Sequence, residues 1–310
     1  MDEALPPAPA WFRAARAVVR RLPAGRFRAF ERLSRVRLAP FEDQLDGELG
    51  GWRYGCDLRN VIAREACLTG RTAPAETAVV RAGSPPGGTF VDVGANWGYF
   101  TLVGAHAVGP GGRVVALEPD PRVHAELCAN VARNGIRTVT VLPVAAADRE
   151  GEAVLSGYAE ADRNRGVSSL VAAPAGEAAA FTVRTAPLDD LLDGLGIERA
   201  DLVKIDVEGA EELVLRGMAR GLAAGRYRQV LLELHPTQHP RPDQLGRTIY
   251  EMMHGAGYRG GWLQTGPGAE RAALYGRRGP ERLALAGIRG DEPLGAWPHQ
   301  LWTHAGSGRG

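Results

Sequence analysis

Short apolar runs alternate with helix-length amphipathic stretches through the middle of the chain. Five of these runs predict strands near residues 89–93, 113–117, 138–143, 201–205 and 229–234. Apolar runs of this length are typical of strands that are buried on both faces of a sheet. Because helical patterns separate the runs, the chain is predicted to form an α/β fold with a mostly parallel, doubly wound sheet.

The segments before this sheet carry mainly helical signals. Residues 52–62 predict one or two short strands, and residues 63–82 predict a helix that is broken at Pro74. Residues 11–37 predict a basic amphipathic helical segment, whose apolar face consists of Trp11, Phe12, Ala15, Val18, Val19 and Leu22. We favour an appendage that packs this face on the core or on a second subunit and leaves its arginines solvated. The alternative is weak contact with a membrane surface or an anionic partner.

These patterns divide the chain into three parts. Residues 1–45 form a basic helical arm, residues 46–290 form the main domain, and residues 291–310 form a C-terminal tail. The main domain contains a long insert at residues 148–185, between the third and fourth predicted strands. Inserts of this length are usually lids, binding loops or disordered segments. Residues 282–286 could add an edge strand, and the last four residues are expected to be disordered.

Composition narrows the class of protein. The 310 residues are 45% hydrophobic and 24% charged, and the formal net charge of +1 gives no overall field that would attract nucleic acid. Three scattered cysteines without a C-x-x-C pair predict neither a disulfide nor a zinc site, and they fit a reducing cytoplasm. No apolar run reaches the roughly 18 residues that a membrane-spanning helix needs.

The first predicted strand ends in a glycine-rich turn, from Gly94 to Gly98, that opens a helix. At the carboxyl edge of a parallel sheet, such a turn presents backbone N–H groups to a ligand. Alone the turn is a weak signal, since it also suits any tight connection between a strand and a helix. The candidate cofactor-binding residues in this stretch are Asp92, Gly94, Ala95, Asn96, Gly98 and Phe100.

Glu118 and Pro119 follow the second predicted strand. At this position of Rossmann-like sites, an acidic residue accepts hydrogen bonds from the two hydroxyls of a ribose. The alternative is a surface carboxylate just ahead of a helix, which Asp120 and Pro121 are well suited to begin. We favour the ribose interpretation, because Glu118 would lie beside the Gly94 turn, and we take Glu118 and Pro119 as cofactor-binding candidates.

The turn favours S-adenosylmethionine over a dinucleotide. Dinucleotide sites use three glycines in a G-x-G-x-x-G pattern, whereas this turn has two. Asp92, at the end of the strand, would repel a pyrophosphate. The same carboxylate suits a ligand that carries an ammonium and a sulfonium.

Longer stretches of the chain extend this pattern. They are VDVGANWGYFTL at 91–102, the Glu118–Pro119 pair, Asn130, Asn134, PLD at 187–189, DLVKIDVEGAE at 201–211 and VLLELHP at 230–236. Over residues 51–258 the chain closely resembles the FkbM-type S-adenosylmethionine-dependent methyltransferases. Trp97 departs from the family, in which a smaller aliphatic residue is more usual at this position.

The resemblance implies that residues 46–290 form a Rossmann-like class I methyltransferase domain that uses S-adenosylmethionine. The acceptor it implies is a hydroxyl of a small molecule, typically a polyketide or a sugar. The alternatives are N-methylation of an amino sugar, a dinucleotide enzyme and a non-catalytic cofactor-binding scaffold. The intact set of Asp92, Glu118, Lys204 and Asp206 argues against the scaffold. The oligomeric state stays open.

Candidate catalytic residues lie at the ends of the fourth and fifth predicted strands. Alternation along a strand places Lys204, the only lysine of the chain, on the same face as Asp206 and Glu208. It also places Glu233 on the same face as His235. The alternatives are a structural pair of Lys204 with an acid, and a structural histidine at position 235.

Two mechanisms for removing the proton of the acceptor stay open. His235 could act as the base, or Asp206 and Glu233 could hold a Mg²⁺ ion that lowers the pKa of the hydroxyl. We prefer the metal-free route, because two carboxylates and Lys204 can neutralise one another without an ion. The predicted catalytic residues are Lys204, Asp206, Glu233 and His235, with Asp206 also facing the cofactor.

Overall fold

The structure is a computed structural model of the chain. It describes residues 5–22, 25–45, 49–157, 168–169, 180–263, 274–275, 285–292, 294 and 299–307.

The described residues form ten α-helices: α1 (Ala10–Arg21), α2 (Arg26–Ser34), α3 (Val61–Thr69), α4 (Pro74–Gly83), α5 (Tyr99–Val108), α6 (Pro121–Arg133), α7 (Leu188–Gly194), α8 (Glu211–Arg216), α9 (Ala219–Ala223) and α10 (Pro242–Gly255). Two short 3₁₀ helices span Pro236–Gln238 and Ala305–Ser307. Local sequence signals explain where several of these helices begin. Asp120 caps α6 by accepting from the N–H of Arg122, and Pro121 occupies its first turn. The predicted break at Pro74 is confirmed, since α4 begins there.

The strands of the described residues are β1 (Phe41–Leu45), β2 (Trp52–Cys56), β3 (Thr89–Val93), β4 (Arg113–Leu117), β5 (Val139–Leu142), β6 (Ala145–Ala146), β7 (Gly151–Gly157), β8 (Ser168–Ser169), β9 (Ala180–Ala186), β10 (Ala200–Ile205), β11 (Tyr227–Glu233), β12 (Tyr258–Leu263), β13 (Leu285–Gly287) and β14 (His299–His304). The five core strands predicted from apolar runs are confirmed as β3, β4, β5, β10 and β11.

A central eight-stranded sheet organises the molecule. Its order is β13-β12-β14-β11-β10-β3-β4-β5, and the strands from β11 to β5 run parallel. The antiparallel β14 lies between β11 and β12. The strand order reverses between β10 and β3, and ligands of doubly wound sheets bind at the carboxyl ends of strands at such a point. The sheet is therefore Rossmann-like, as predicted.

Side chains on the two faces of the central sheet pack into two cores. Val91 and Val203 are buried in one core, and their neighbours Phe90 and Leu202 are buried in the other. Successive side chains of a strand point to opposite faces. Because both faces are covered, these strands are apolar at nearly every position, which is why they could be recognised in the sequence.

The described part of the N-terminal segment packs on the core of the main domain, which is the interpretation favoured from its sequence. Phe12 of α1 and Phe30 of α2 are buried in the same core as Phe90 of β3, and β1 pairs along its length with β2. The predicted apolar face is also divided, because Trp11 and Val18 are 52% and 61% exposed. Contact of this segment with a membrane surface or an anionic partner stays a prediction.

One arginine of this segment is buried, contrary to the expectation that they are solvated. Arg16 is 8% exposed, and its guanidinium donates to the carboxylate of Asp43 and, at 2.7 Å, to the carbonyl oxygen of Cys67. Asp43 is equally buried. The pair therefore joins α1 to β1 and to the end of α3.

Replacing Asp43 by Asn should lower the free energy of unfolding by roughly 1.5–3 kcal/mol, the contribution of a hydrogen bond to a charged group. The reason is that the buried guanidinium of Arg16 would lose its counter-charge. Denaturant unfolding measures the change. Glu251→Gln, in an exposed pair with Arg247 on α10, serves as the control and should change stability little. Equal stability of the Asp43→Asn variant and the unmodified chain would show that the pair of Arg16 with Asp43 contributes little to stability.

Cys56 and Cys67 form a disulfide that joins the end of β2 to α3, so the expectation of no disulfide is wrong. The two cysteines are 11 residues apart, and the fold brings their Cα atoms within 6.2 Å. Cys128 is a free cysteine. Because Cys56 and Cys67 form a disulfide, the cysteines no longer indicate a reducing compartment.

The described part of the insert at 148–185 consists of strands. β7 and β9 pair in antiparallel register, and with β6 and β8 they form a four-stranded sheet. Residues 158–167 and 170–179 of the insert lie outside the described residues. The described part is therefore an ordered extension of the domain and not the loop or disordered segment expected.

Residues 291–310 are not a tail, because β14 lies inside the central sheet. This strand pairs with β11 and β12, and its register sets His299 opposite Glu233. Residues 308–310 lie beyond the described part of the chain. The edge strand expected at 282–286 corresponds to β13, whose described residues begin at Leu285. No helix within the described ranges is long and apolar enough to cross a membrane.

Candidate active site

The glycine-rich turn after β3 packs its backbone against the loop that follows β10. Gly94 has a φ of +78°, and a Cβ atom there would lie 1.9 Å from the carbonyl oxygen of Asp206. Only glycine fits this approach. Asn96 adopts the left-handed backbone expected of it, with a φ of +52°. At Gly98, which has a φ of +86°, a Cβ atom would lie 2.4 Å from a side-chain carbon of Leu127 on α6, so glycine suits the end of this turn.

Glu118 lies beside this turn, as predicted. The backbone N–H groups of Asn96 and Asp120 donate to its two carboxylate oxygens at 2.9 and 3.0 Å. Burial raises the pKa of Glu118 to about 8, although these two N–H groups act in the opposite direction. Hydrogen bonds donated by the hydroxyls of a ligand would favour the charged carboxylate.

A cleft opens at the carboxyl ends of β3, β4 and β10. Its lining residues are Ile62, Val93, Gly94, Asn96, Leu117, Glu118, Pro119, Val144, Ala145, Ala146, Leu155, Asp206, Val207 and Glu208. Of the predicted cofactor-binding residues, Asp92, Ala95, Gly98 and Phe100 are not in this lining. Leu155 belongs to β7, so the insert borders the cleft.

Lys204 connects two carboxylates beside the cleft. Its Nζ is 3.0 Å from Asp206 Oδ2 and 3.9 Å from Asp92 Oδ1, and it lies 4.6 Å from the centre of the Phe100 ring. Asp92 is fully buried and accepts a hydrogen bond from the Thr101 hydroxyl at 2.6 Å. Burial lowers the pKa of Lys204, but Asp206 and Asp92 raise it by more, so the ammonium stays charged. Asp92 and Phe100 therefore contact Lys204 and do not line the cleft.

His235 lies among the acids that follow β10 and β11. Its Nδ1 is 2.7 Å from Glu211 Oε1. Its Nε2 is 3.5 Å from Glu208 Oε2, 3.7 Å from Glu233 Oε1 and 3.8 Å from Asp206 Oδ1. We call Asp206, Glu208, Glu233 and His235 the carboxylate cluster.

The surroundings of His235 oppose its predicted role as a direct base. Burial lowers the pKa of the imidazole, but the hydrogen bond with Glu211 and the charges of Asp206 and Glu208 raise it by more, to about 9. When no cation is bound beside these acids, the ring would therefore already carry a proton at neutral pH. Its predicted proximity to Asp206 and Glu233 is confirmed.

Glu208 joins the cluster although it was not among the four residues predicted to be catalytic. Its φ of +49° places a non-glycine residue in the left-handed region, a conformation that concentrates at functional sites. The side-chain amide of Gln238 donates to its carboxylate. Burial raises the pKa of Glu208 to about 7. Its alternation with Lys204 and Asp206 was the sequence signal that could have included it.

Three further side chains were missed. Glu211 is fully buried and accepts from the backbone N–H of Gly209 at 2.9 Å as well as contacting His235. His299 Nε2 is 2.9 Å from Glu76 Oε1 and 3.3 Å from Glu233 Oε2. Burial lowers the pKa of His299, but Glu233 and Glu76 raise it by more, to about 11. His299 belongs to none of the motifs found in the sequence, and the register of β14 on β11 brings it to Glu233.

The fold and the cleft define a class I methyltransferase-like domain, and comparison with known proteins gives the family. The model of the methyltransferase FkbM domain matches residues 92–259, more than half of the chain. The chain belongs to this family of methyltransferases. The match covers both strand ends that carry the carboxylate cluster and the whole glycine-rich turn.

Two curated relatives show how far this likeness extends. The chain is 31% identical over 211 residues to the 31-O-demethyl-FK506 methyltransferase FkbM of Streptomyces tacrolimicus. This match covers 58% of this chain and 79% of the relative. It is 34% identical over 183 residues to the AMB antimetabolite synthetase AmbE of Pseudomonas aeruginosa. That match covers 49% of this chain and 8% of the synthetase, so the chain spans a small part of that relative.

Solved structures are more distant. A methyltransferase FkbM from Methylobacillus flagellatus is 18% identical with a TM-score of 0.42, and the match covers 70% of this chain and 43% of that one. An O-methyltransferase from Bacillus cereus, solved in complex with SAH, is 15% identical with a TM-score of 0.35, covering 73% and 77%.

Proposed function

We infer that this chain transfers the methyl group of S-adenosylmethionine to a hydroxyl oxygen of a small natural-product acceptor. The observation that carries the proposal is one cleft that joins the Gly94 turn and Glu118 to the carboxylate cluster. One side of the cleft suits the cofactor, and the other side suits a reacting hydroxyl.

The residues of the cleft fit the cofactor. Gly94 lines the cleft, and Glu118 is fixed by two backbone N–H groups so that its remaining lone pairs can accept from a ribose. Leu117, Val144 and Leu155 supply apolar walls of the kind that bury a flat ring. Asp206 adds a carboxylate on the side where the ammonium and sulfonium would lie.

One curated relative supports a hydroxyl acceptor. The name of the Streptomyces tacrolimicus protein gives a 31-O-demethyl compound as what it methylates, which is an oxygen acceptor on a natural product. The name of the Pseudomonas aeruginosa protein refers to an antimetabolite and gives no acceptor.

The reaction is a displacement at the methyl carbon. A lone pair of the acceptor oxygen forms the new bond to carbon, the carbon–sulfur bond breaks, and its electron pair passes to sulfur to give S-adenosylhomocysteine. The hydroxyl proton leaves in the same step. Asp206 and Glu208 border the cleft, so their carboxylates are the groups placed to accept this proton.

Labelled S-adenosylmethionine tests the reaction. The chain is incubated with methyl-labelled cofactor and a panel of hydroxyl-bearing polyketides, sugars and amino sugars. We expect a product heavier by one methylene group with the label on oxygen. A label on nitrogen would contradict hydroxyl transfer, and absence of both product and cofactor binding would contradict the whole proposal.

Replacing Glu118 by Ala should weaken binding of S-adenosylhomocysteine by roughly 1.5–3 kcal/mol for each hydrogen bond lost from a ribose hydroxyl. Titration calorimetry measures this change. Glu251→Ala, on α10 and outside the cleft lining, is the control and should bind as the unmodified chain does. An unchanged affinity in Glu118→Ala would remove this residue from the cofactor site.

A further inference from the structure

We propose that the carboxylate cluster binds one divalent cation through His235 Nε2 and one carboxylate oxygen each from Asp206, Glu208 and Glu233. The catalytic use of this ion rests on the proposed function. Binding of the ion does not depend on that function, and it can be measured on the chain alone.

The distances within the cluster fit a shared ion. The three carboxylate oxygens lie 3.5, 3.7 and 3.8 Å from His235 Nε2. One ligand atom each from Asp206, Glu208 and His235 can be chosen so that all lie within 4.8 Å of one another. Ligands bound at about 2.0–2.2 Å to one ion lie roughly 3–3.5 Å apart, because the angles between bonds are about 90–110°. The three distances from His235 Nε2 are close to this spacing, and the carboxylates would move closer to one another around a bound ion.

The orientation of His235 is a second, independent observation. The residue is 2% exposed, and its Nδ1 is held by Glu211, which is itself fully buried. Within the described part of the chain, Nε2 makes no hydrogen bond, and it faces the three carboxylates. A carboxylate on the far nitrogen of an imidazole is the usual support of a metal-binding histidine, because it fixes the tautomer and the ring orientation. Glu211 is therefore assigned as a positioning residue.

The charge around the cluster also favours a cation. Six carboxylates and three basic side chains form one contiguous set of ion pairs. The basic side chains are Lys204, His235 and His299, and the carboxylates are those of Glu76, Asp92, Asp206, Glu208, Glu211 and Glu233. Even with both imidazoles protonated, the carboxylates exceed the positive charges by three. A buried excess of like charge is costly unless protons or a cation neutralise it.

The mixed ligand set selects the kind of ion. Mg²⁺ prefers oxygen ligands alone, whereas an imidazole nitrogen beside carboxylates suits a transition-metal ion such as Mn²⁺. Asp206 and Glu208 also line the cleft, so the ion would lie at its edge, next to the arriving hydroxyl. Binding of that oxygen to the ion would lower the pKa of the hydroxyl and make its proton easier to remove.

Manganese binding tests the site directly. The full chain is dialysed against EDTA and then titrated with MnCl₂ alone, with free Mn²⁺ followed by electron paramagnetic resonance. We expect one ion per chain. His235→Gln and Glu233→Gln should each weaken binding by roughly 100-fold, and Glu211→Gln by roughly 10–100-fold. Glu212→Gln is the matched control, because Glu212 is a buried acid next to Glu211 that pairs with Arg216 outside the cluster.

Cooperative thermal unfolding establishes that each variant is folded before it is titrated. Lack of stoichiometric Mn²⁺ binding by the unmodified chain would overturn the proposal, and so would undiminished binding in both His235→Gln and Glu233→Gln. Binding of S-adenosylhomocysteine is measured separately without metal. A chain that binds Mn²⁺ through these residues but never binds the cofactor would keep the metal site and refute the proposed function.

Discussion

Replacing His235 by Ala should lower the turnover of methyl transfer by roughly 10²–10⁴-fold, the range typical of losing a group that assists proton removal. His235 is the residue on which Asp206, Glu208 and Glu233 converge, and its ring is fixed by Glu211. Loss of the imidazole would leave these acids without their common partner. The measurement is the rate of methyl transfer to an acceptor identified by the labelling screen.

The affinity for S-adenosylhomocysteine should be kept in this variant, because His235 is not among the residues that line the cleft. His239→Ala is the matched control. His239 is also buried, but its Nε2 contacts Glu212, 3.4 Å away and outside the carboxylate cluster. Normal turnover in His235→Ala would leave this histidine a structural residue, whichever mechanism removes the proton.

Replacing Lys204 by Met should lower the free energy of unfolding by roughly 3–5 kcal/mol, the cost of removing one partner from a buried ion pair. Lys204 is 3% exposed, and its ammonium lies between Asp206 and the fully buried Asp92. Methionine keeps most of the apolar volume beside Phe100, so the loss comes mainly from the uncompensated carboxylates. Denaturant unfolding gives the difference directly.

A double variant separates charge from packing in this result. If the cost comes from charge, then Lys204→Met combined with Asp92→Asn should recover part of the lost stability, since neighbouring substitutions of this kind interact by roughly 0.5–3 kcal/mol. Strictly additive losses would show that the ammonium is not what stabilises Asp92.

The parts of the site that the sequence revealed are those carried by local pattern. The apolar runs located the core strands, and period-2 alternation at the ends of β10 and β11 identified Lys204, Asp206, Glu233 and His235 as neighbours. The Gly94 turn and Glu118 could be placed together because consecutive parallel strands end at one edge of the sheet. These inferences need only the order of strands along the chain.

The parts that were missed depend on contacts between distant segments. His299 reaches Glu233 because β14 inserts beside β11, and nothing in the apolar pattern of residues 299–304 gives that register. Glu76 lies in the first turn of α4 and Glu211 in the first turn of α8. Carboxylates are common at these positions because the helix dipole favours them, so neither residue indicates a functional site in the sequence. The Cys56–Cys67 bond likewise depends on how β2 and α3 fold together.

Phe100 and Asp92 illustrate an intermediate case. Both lie in the most family-like stretch and were assigned to the cofactor, yet each contacts Lys204 and neither lines the cleft. Sequence position placed them correctly near the site. It could not show that both residues contact a buried lysine and lie outside the lining of the cleft.

Calorimetric titration with S-adenosylhomocysteine and, separately, with NAD tests the central claim most directly. The claim is that the Gly94 turn and Glu118 form a site for the methyl-donor cofactor and not for a dinucleotide. We expect one molecule of S-adenosylhomocysteine to bind per chain, with weaker binding in Glu118→Ala, and no measurable binding of NAD. Binding of NAD without binding of S-adenosylhomocysteine would contradict the account.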